Sequence, residues 1–376
     1  MKLKIGIDAR LVDGKGGGTK VYTTELIKNL LKYDRENFYI LYTYLYHPNL
    51  SKLVQPYRNV KIREIKHKLL FYLPIMYYIL YKDGIVIFHS PAYFLPLIPR
   101  FIKTKLPKLV VTFHGLDFEF YRKQNRHIYW RILSRLSARI ADKVISVSNQ
   151  QKNELVNRFK LDPSKISTIY YGYELPLCKE IPLSYLTKKY GLFLKPNEHL
   201  LLCVDGSEKR KNLTTILYAL KILVEKYYFT NFKCIITRAS SYYGFIQKLN
   251  LSEHVITLEW INFEDMKYFY KLASLVIYPS LYEGVGFPVI EAIFNKKPVL
   301  ISKGTAMCEI INNEKLIIQE PRNSYLWASR ILEILNNEKL RSQIIADLEN
   351  LSGKFNWNRI IKEILNLYTS LIYAKK

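Results

Sequence analysis

The residues with the clearest chemical potential lie in the segment YPSLYEGVGFPVIEA, residues 278–292. Glu283 follows a predicted strand, and Glu291 lies one to two turns into a predicted helix. Gly284 and Gly286 have no Cβ, so the backbone N–H groups around them can approach an anion or sugar hydroxyls. The helix amino terminus adds unpaired N–H groups and the positive end of its dipole. This arrangement predicts that the two carboxylates contact different parts of one elongated, phosphate-bearing ligand.

A second candidate is the basic turn VDGSEKRKNL, residues 204–213, which follows another predicted strand. Arg210 and Lys211 place two cations there, close to Gly206. Fixed cations in a dry site can bind and stabilise an anionic group such as a phosphate. The alternative is that this pair forms only the solvated start of a basic helix.

The N-terminal half contributes two further candidates. The turn GKGGGTK, residues 14–20, contains Gly17 and Gly18 between a predicted strand and a predicted helix. It lacks the G-x-G-x-x-G spacing of dinucleotide-binding oxidoreductases. His114 lies at the carboxyl end of a predicted strand, in VTFHGLD. A lone histidine is more often structural than catalytic, and His89 in IFHSPAY is interpreted as structural.

The elements that would position these residues alternate between apolar strands and amphipathic helices. Such alternation predicts parallel sheets covered by helices on both faces. The predicted strands are residues 3–9, 38–45, 84–90, 108–115 and 143–149 in a first series, and 199–206, 232–239, 254–260, 274–280 and 297–302 in a second.

The alternation breaks at residues 167–178, around Gly172 and Pro176, which predicts a linker between two domains. A chain of 376 residues suits two domains. We therefore expect an α/β protein with two Rossmann-like, doubly wound parallel-sheet domains that face a cleft and bind ligands at the carboxyl ends of their strands. The predicted domains are residues 1–176 and 177–355, and an amphipathic helix within 356–376 ends the chain.

Together these segments resemble the signature of glycosyltransferase family 4, whose members are retaining enzymes of the GT-B fold. The pattern P-S-x-x-E-G-x-G-x-P-x-x-E-A carries most of the resemblance, with Val285 where relatives usually have an aromatic residue. The resemblance implies that Glu283 contacts the donor sugar and that Glu291 holds the ribose hydroxyls of the nucleotide. It also implies that Arg210 and Lys211 bind the diphosphate, and that the terminal helix crosses back to the first domain.

The same resemblance assigns roles to the remaining candidates. It implies that the first domain binds the acceptor, that the second binds the nucleotide sugar, and that His114 lies close to the reacting sugar. The expected catalytic residues are therefore His114, Glu283, Arg210 and Lys211. The expected donor-binding residues are Gly17, Gly18, Gly206, Arg210, Lys211, Glu283, Gly284, Val285, Gly286, Phe287 and Glu291.

The resemblance further implies net retention at the anomeric carbon. No residue stands out as the carboxylate nucleophile that a double displacement requires, so we expect same-face substitution in which the departing phosphate oxygen takes the acceptor proton. No D-x-D motif occurs in a metal-binding context. We therefore expect no metal and no cofactor besides the nucleotide diphosphate sugar. The R-K-N turn is most similar to mannosyl-type relatives that use guanosine donors.

The net charge of +25 is distributed unevenly. Residues 1–172 hold 30 Lys and Arg against 12 Asp and Glu, a net charge of +18, and the remaining residues carry +7. This excess favours an anionic partner, such as a nucleic acid, a phospholipid surface or a phosphate-bearing acceptor, over a surface that is basic only for solubility. The apolar run at residues 69–81 is too short to span a bilayer. It predicts either a buried helix or a surface that contacts lipid headgroups.

These features lead to an expected acceptor and location. We expect a saccharide or lipid-linked acceptor, contact of the first domain with an anionic membrane, and no nucleic acid. The scattered cysteines fit a reducing compartment, and the N-terminal segment is typical of a strand and not of a signal peptide. Both favour the cytoplasm, with or without attachment to the cytoplasmic face of a membrane. Three alternatives stay open: another GT-B enzyme such as a sugar phosphorylase or an epimerase, a basic nucleic-acid-binding protein, and an inactive transferase-like scaffold.

Overall fold

The computed structural model describes residues 2–14, 17–66, 71, 73–96, 106–119, 126–175, 182–206, 208–259 and 261–373. The chain divides into two compact units. The first unit comprises Met1–Gly172 and Phe355–Lys376, and the second comprises Tyr173–Lys354. These limits lie within a few residues of the predicted domain boundaries, and residues 176–178 of the predicted linker lie outside the described residues.

The first unit contains a seven-stranded parallel sheet in the order β3-β2-β1-β4-β5-β6-β7. Its inner strands are almost entirely buried, as expected for a sheet covered on both faces. The strands are β1 (Lys4–Asp8), β2 (Phe38–Thr43), β3 (Val60–Glu64), β4 (Ile87–Ser90), β5 (Lys108–Phe113), β6 (Lys143–Ser146) and β7 (Ile166–Thr168).

Two of these strands were not predicted from the sequence. β3 is an edge strand that alternates apolar and polar residues and is largely exposed, so it contains no apolar run. β7 is three residues long and begins the segment that was interpreted as linker. Both strands lie at the ends of the sheet, where one side of the backbone has no neighbouring strand.

The second unit contains a six-stranded parallel sheet in the order β10-β9-β8-β11-β12-β13. The strand order reverses between β8 and β11, and in doubly wound sheets ligands bind at the carboxyl ends of strands at this switch point. The strands are β8 (His199–Cys203), β9 (Phe232–Thr237), β10 (Val255–Leu258), β11 (Leu275–Tyr278), β12 (Val299–Ser302) and β13 (Ile317–Ile318).

Helices connect the strands in both units. In chain order they are α1 (Gly18–Tyr33), α2 (Pro48–Val54), α3 (Ile75–Lys82), α4 (Arg126–Ile140), α5 (Asn149–Phe159), α6 (Leu183–Tyr190), α7 (Leu213–Glu225), α8 (Tyr243–Lys248), α9 (Phe263–Leu272), α10 (Phe287–Phe294), α11 (Ser324–Asn336), α12 (Glu338–Glu349) and α13 (Trp357–Tyr373). Among the described residues, none of these helices is both long and apolar enough to cross a membrane.

The terminal helix α13 belongs to the first unit, as the resemblance implied. It packs against α1 and buries one face that includes Ile360 and Ile364. The Tyr368 hydroxyl lies 2.6 Å from Nδ1 of the buried His89, whose Nε2 lies 2.8 Å from the Thr112 hydroxyl. His89 therefore joins the terminal helix to the sheet, which agrees with its structural interpretation.

The described part of the apolar run at residues 69–81 forms α3 and the residues before it. Met76, Tyr77 and Leu80 are buried in the core, whereas Ile75 and Tyr78 are exposed. One face of α3 is therefore a buried part of the core, as the first interpretation predicted, and contact of the other face with lipid headgroups stays a prediction. Leu69, Leu70 and Tyr72 lie outside the described residues.

Candidate functional site

The second unit brings three of the candidate side chains together at its switch point. The loop that follows β8 carries Arg210 and Lys211, and the loop that follows β11 carries Glu283. The two loops are joined by a backbone hydrogen bond from the Leu281 N–H to the Arg210 carbonyl, at 2.8 Å. Because β8 and β11 are neighbouring parallel strands, both loops leave the sheet at the same edge.

The Glu283 carboxylate is the centre of this cluster. Its Oε1 accepts hydrogen bonds from Arg210 Nη1 at 2.6 Å, from Lys211 Nζ at 2.7 Å and from Ser280 Oγ at 2.7 Å. Burial by itself raises the pKa of Glu283, but the attraction of Lys211 and Arg210 outweighs burial and holds that pKa below its ordinary value. Glu283 is therefore ionised at neutral pH.

Lys211 is a buried cation with several partners. Besides Glu283, its Nζ donates to the Tyr278 hydroxyl at 2.8 Å and lies 3.5 Å from Asp205 Oδ2. The ammonium group also lies 4.8 Å from the centre of the Tyr278 ring. A buried charge is tolerated only when it is paired and hydrogen-bonded, and these contacts fix Lys211 in one orientation.

Arg210 is more exposed than Lys211 and is held by both loops. Its Nε donates to Glu208 at 2.6 Å, and its Nη1 donates to the Tyr282 carbonyl at 3.0 Å in addition to Glu283. A planar guanidinium fixed on two sides is well suited to bind phosphate oxygens with directed hydrogen bonds.

Glu291 lies apart from this cluster, on α10, and is half-buried. Its Oε2 accepts a hydrogen bond from the hydroxyl of Tyr270, a buried residue of α9, at 2.7 Å. Burial raises the pKa of Glu291, and the Tyr270 hydrogen bond opposes that rise. A partly buried carboxylate with one fixed donor can accept further hydrogen bonds, as from the hydroxyls of a ribose.

The glycines of the second unit serve two different purposes. Gly286 has a φ of +86° and precedes α10 directly, and an added Cβ would lie 2.9 Å from Met307 Cγ. Gly206 needs its small size because an added Cβ would lie 2.6 Å from Leu213 Cδ2. Gly206 therefore allows close packing against α7, a reason that differs from the expected approach of a ligand.

The other expected donor-binding residues, Gly284, Val285 and Phe287, lie in the turn that leads into α10. The side chain of Val285 is buried, and Gly284 is buried beside it. Phe287 is the first residue of α10 and is half-buried. The loop therefore offers main-chain N–H groups at the start of an eight-residue helix.

The candidate residues of the first unit form a distinct group. Gly17 is the residue that precedes α1, Gly18 begins that helix, and both are exposed. His114 follows β5, and its Nε2 donates to the Pro91 carbonyl at 2.5 Å while its Nδ1 accepts from the Tyr171 hydroxyl at 2.7 Å. Both ring nitrogens of His114 are thus engaged by the protein.

The protonation state of His114 follows from its surroundings. Its ring packs edge-on against the buried Tyr22, with ring centres 4.8 Å apart. Burial lowers the pKa of His114 to about 4, and the hydrogen bond to the Pro91 carbonyl only partly opposes this effect. His114 is therefore neutral at pH 7, with its proton on Nε2.

Several residues of the site were not identified from the sequence. Tyr278, Tyr270 and Asp205 hold the predicted side chains in place, and Tyr171 orients His114. Tyr278 directly precedes the P-S pair, but a tyrosine that ends an apolar strand has no feature that separates it from a core residue. Ser280 belongs to the recognised motif and is now seen to bind Glu283.

The two doubly wound parallel-sheet units and the charged loops at the second switch point are typical of GT-B glycosyltransferases. The crystal structure of a glycosyltransferase from Rickettsia africae ESF-5 superposes with a TM-score of 0.73, at 20% identity and with 100% of each chain covered. The protein has the GT-B fold.

The family follows from the sequence matches. Residues 16–175 match Glycosyltransferase Family 4, and residues 187–350 match Glycosyl transferases group 1. The protein therefore belongs to glycosyltransferase family 4.

Individual relatives agree with this assignment. An uncharacterized glycosyltransferase of Methanocaldococcus jannaschii is 27% identical over 94% of this chain and 95% of its own. A second one from that organism is 26% identical, over 60% of this chain and 59% of its own. The O-antigen chain mannosyltransferase B of Escherichia coli is 25% identical over 77% of this chain and 75% of its own.

Proposed function

We propose that this protein is a retaining hexosyltransferase that transfers a sugar, preferentially mannose, from a nucleoside diphosphate to a saccharide or lipid-linked acceptor in surface glycan biosynthesis. The observation that supports it best is the cluster of Arg210, Lys211 and Glu283 at the switch point of the second sheet. Mannose is favoured because the Escherichia coli relative is named a mannosyltransferase. Guanosine is the base that the R-K-N turn favours.

In this proposal the second unit binds the donor. Arg210 and Lys211 stabilise the charge that grows on the leaving diphosphate, and the N–H groups that precede α10 add to this stabilisation. Glu283 binds hydroxyls of the donor sugar, and Glu291 binds the ribose. In the proposal Arg210 and Lys211 neutralise the diphosphate in place of a metal ion, so the reaction is expected to proceed without metal.

The reaction itself requires one bond to break and one to form on the same face of the sugar. The bond from the anomeric carbon to the phosphate oxygen breaks, the acceptor oxygen bonds to that carbon, and the leaving phosphate oxygen takes the acceptor proton. His114 is neutral and both its nitrogens are engaged, so its role in the proposal is to shape the sugar site and not to transfer protons.

The acceptor is proposed to bind the first unit, whose excess of positive charge suits a phosphate-bearing acceptor and an anionic membrane at its cytoplasmic face. A membrane-borne saccharide would satisfy both. No nucleic acid is involved in this proposal.

A thermal-shift panel tests the donor site. UDP, GDP, ADP and TDP and their sugars are added without metal to the wild type and to Glu291→Ala, with Glu333→Ala as a matched surface control on α11. A ligand at 100 times its Kd adds about 2.7 kcal/mol of stability. A shift from one nucleotide that the control keeps and Glu291→Ala loses supports the proposal.

Other results of these experiments would contradict the proposal or parts of it. No shift from any nucleotide would favour an inactive scaffold or a nucleic-acid-binding protein. For an active enzyme, NMR of the product's anomeric proton reports retention or inversion, and activity in EDTA reports the metal requirement. Inversion, or complete loss of activity in EDTA, would overturn the corresponding part of the proposal.

A further inference from the structure

Helix α4 in the first unit has an unusual distribution of side chains. Several of its core-facing residues are small or polar: Ser134, Ser137 and Ala138 are completely buried, and Ile140, at the end of the helix, is the large apolar residue that packs against the core cluster. Its large apolar residues instead point outward, with exposed fractions of 54% for Ile128 and 51% for Ile132. A helix on a globular protein ordinarily places its apolar stripe against the core, so α4 is reversed.

The exposed residues form one continuous surface, which we name the outer face of α4. Ile128, Ile132 and Leu136 follow one another at intervals of four residues, and Tyr129 precedes Ile132 by three, so these residues lie on one side of the helix. This face consists of Ile128, Tyr129, Ile132 and Leu136, all of them exposed. Contiguous exposed apolar surface of this kind marks a binding site for another molecule or a membrane.

The charges on α4 indicate which kind of partner binds this face. The helix contains no acidic residue. Arg139 is exposed and Arg131 is half-buried, whereas Arg135 packs inward over the buried Phe159, 5.3 Å from the centre of its ring. It lies in the half of the chain whose net charge is +18. An amphipathic helix with arginines and with Ile and Tyr on its apolar side suits the interface of an anionic bilayer.

Trp130 follows Tyr129 on α4 and is partly exposed, although its ring packs towards the body of the first unit. Trp130 is 40% exposed and packs against Phe94, with ring centres 4.7 Å apart. Trp and Tyr are enriched at the level of lipid headgroups because they combine an apolar body with a polar edge. Trp130 is therefore placed to report on contact with lipid.

Helix α3 also exposes apolar residues, and it contacts the same stretch of backbone as α4. The Tyr77 hydroxyl donates to the Pro96 carbonyl at 2.7 Å, and the Leu95 N–H donates to Ser137 Oγ of α4 at 2.9 Å. α3 and α4 thus both bind the segment Leu95–Pro96, and α3 exposes Ile75 and Tyr78.

We propose that the outer face of α4, together with the exposed residues Ile75 and Tyr78 of α3, inserts into the headgroup region of an anionic phospholipid membrane. This deepens the proposed function, which requires access to a membrane-borne acceptor, and assigns the contact mainly to a helix outside residues 69–81. The arginines attract the anionic surface, and the apolar side chains enter the interface.

Vesicle sedimentation at low salt tests the surface. The full-length protein is mixed with phosphatidylcholine vesicles with or without 30% phosphatidylglycerol, a fraction of roughly the order that makes a bilayer strongly anionic. The variant Ile128→Ser/Ile132→Ser is compared with Phe193→Ser/Tyr243→Ser, a control that removes exposed apolar side chains from the second unit. We expect wild type and control to bind only anionic vesicles, and the α4 variant to bind roughly tenfold more weakly or less.

Trp130 provides an independent readout. Its fluorescence should shift to the blue and be quenched by brominated lipids, and Trp130→Phe should lose that signal. Equal vesicle binding by the α4 variant and the control, or no quenching of Trp130, would overturn the proposal. Light scattering that shows a dimer which the α4 variant dissociates, without vesicle binding by the wild type, would assign the face to a second copy and also overturn it.

The same samples separate this inference from the proposed function. The thermal shift caused by the donor nucleotide depends on the second unit and should be equal in wild type, variant and control. Loss of vesicle binding alone leaves the donor site intact. A missing nucleotide shift in a wild type that still binds vesicles would instead contradict the proposed function only.

Discussion

At the residue scale, the site depends on balanced charge. One carboxylate oxygen of Glu283 accepts hydrogen bonds from two cations, of which Lys211 is 5% exposed. Removing the carboxylate from a buried cation costs more free energy than the intact ion pair contributed to stability. Glu283 therefore stabilises the fold of the second unit as well as serving the proposed contact with the donor sugar.

We expect Glu283→Gln to destabilise the protein by about 3 kcal/mol, because it leaves Lys211 and Arg210 without their shared charge. Glu208→Gln is the matched control, since Glu208 also binds Arg210 but is 39% exposed, and exposed pairs contribute at most about 1 kcal/mol. Urea unfolding followed by circular dichroism measures both. Equal losses in the two variants would contradict the central position of Glu283.

The buried histidine gives a prediction about pH. Burial lowers the pKa of His114 to about 4, from an ordinary value of 6.5. The unfolded chain therefore takes up this proton first, so the contribution to stability is complete above pH 6.5 and is lost as the pH falls to about 4. In His114→Gln, which can keep one donor and one acceptor, the loss of unfolding free energy from pH 7 to pH 4 should be smaller than in the wild type. Parallel curves for the two proteins would show that His114 does not contribute.

At the element scale, the turn into α10 depends on Gly286. Its φ of +86° is costly for any residue with a Cβ, and Met307 occupies the space that a Cβ would need. Gly304 has a similar φ of +80° but no atom within 4 Å of an added Cβ.

We therefore expect Gly304→Ala to cost about 1–2 kcal/mol from backbone strain alone, and Gly286→Ala to cost more. Gly286→Ala should also weaken the nucleotide-induced thermal shift, since it moves the N–H groups at the start of α10. Melting temperatures with and without nucleotide measure both effects. The clash with Met307 would be irrelevant if the two variants lost equal stability.

Much of the architecture follows from the sequence because buried parallel strands are apolar runs with Gly-rich or polar loops at their ends. The terminal helix α13 lies within the predicted range 356–376. β3 was missed since an exposed edge strand needs no apolar run. The periodicity of α4 is that of an amphipathic helix, but periodicity does not tell which face packs inward, and the tertiary structure buries the serines.

The sequence also predicted part of the candidate site. Motif spacing identified Arg210, Lys211 and Glu283, which share hydrogen bonds. Tyr270 is far from Glu291 in the sequence and lies on a different helix, so only the fold reveals their contact. The expected roles of these residues toward donor and acceptor stay predictions.

At the scale of the whole molecule, the chain passes twice between the two units. The second unit is one continuous stretch, whereas the first consists of residues 1–172 together with α13 at the end of the chain. α13 covers part of α1, and its Tyr368 is the hydrogen-bond partner of the buried His89 Nδ1. The first unit is therefore incomplete until α13 has been synthesised.

This connectivity predicts different behaviour for the two units as fragments. Residues 173–354 alone should fold cooperatively and keep the nucleotide-induced thermal shift. Residues 1–172 alone should be poorly folded, because they expose the apolar face of α1 and leave a buried nitrogen of His89 unpaired, at a cost of about 1–3 kcal/mol for the nitrogen alone. Joining residues 355–376 to residues 1–172 through a Gly/Ser linker should restore a cooperative thermal transition. The matched control is the same fusion with Ile360→Asp/Ile364→Asp, whose helix is unable to bury its apolar face. If residues 1–172 alone melted as cooperatively and at the same temperature as the fusion, α13 would be an accessory helix and not part of the core of the first unit.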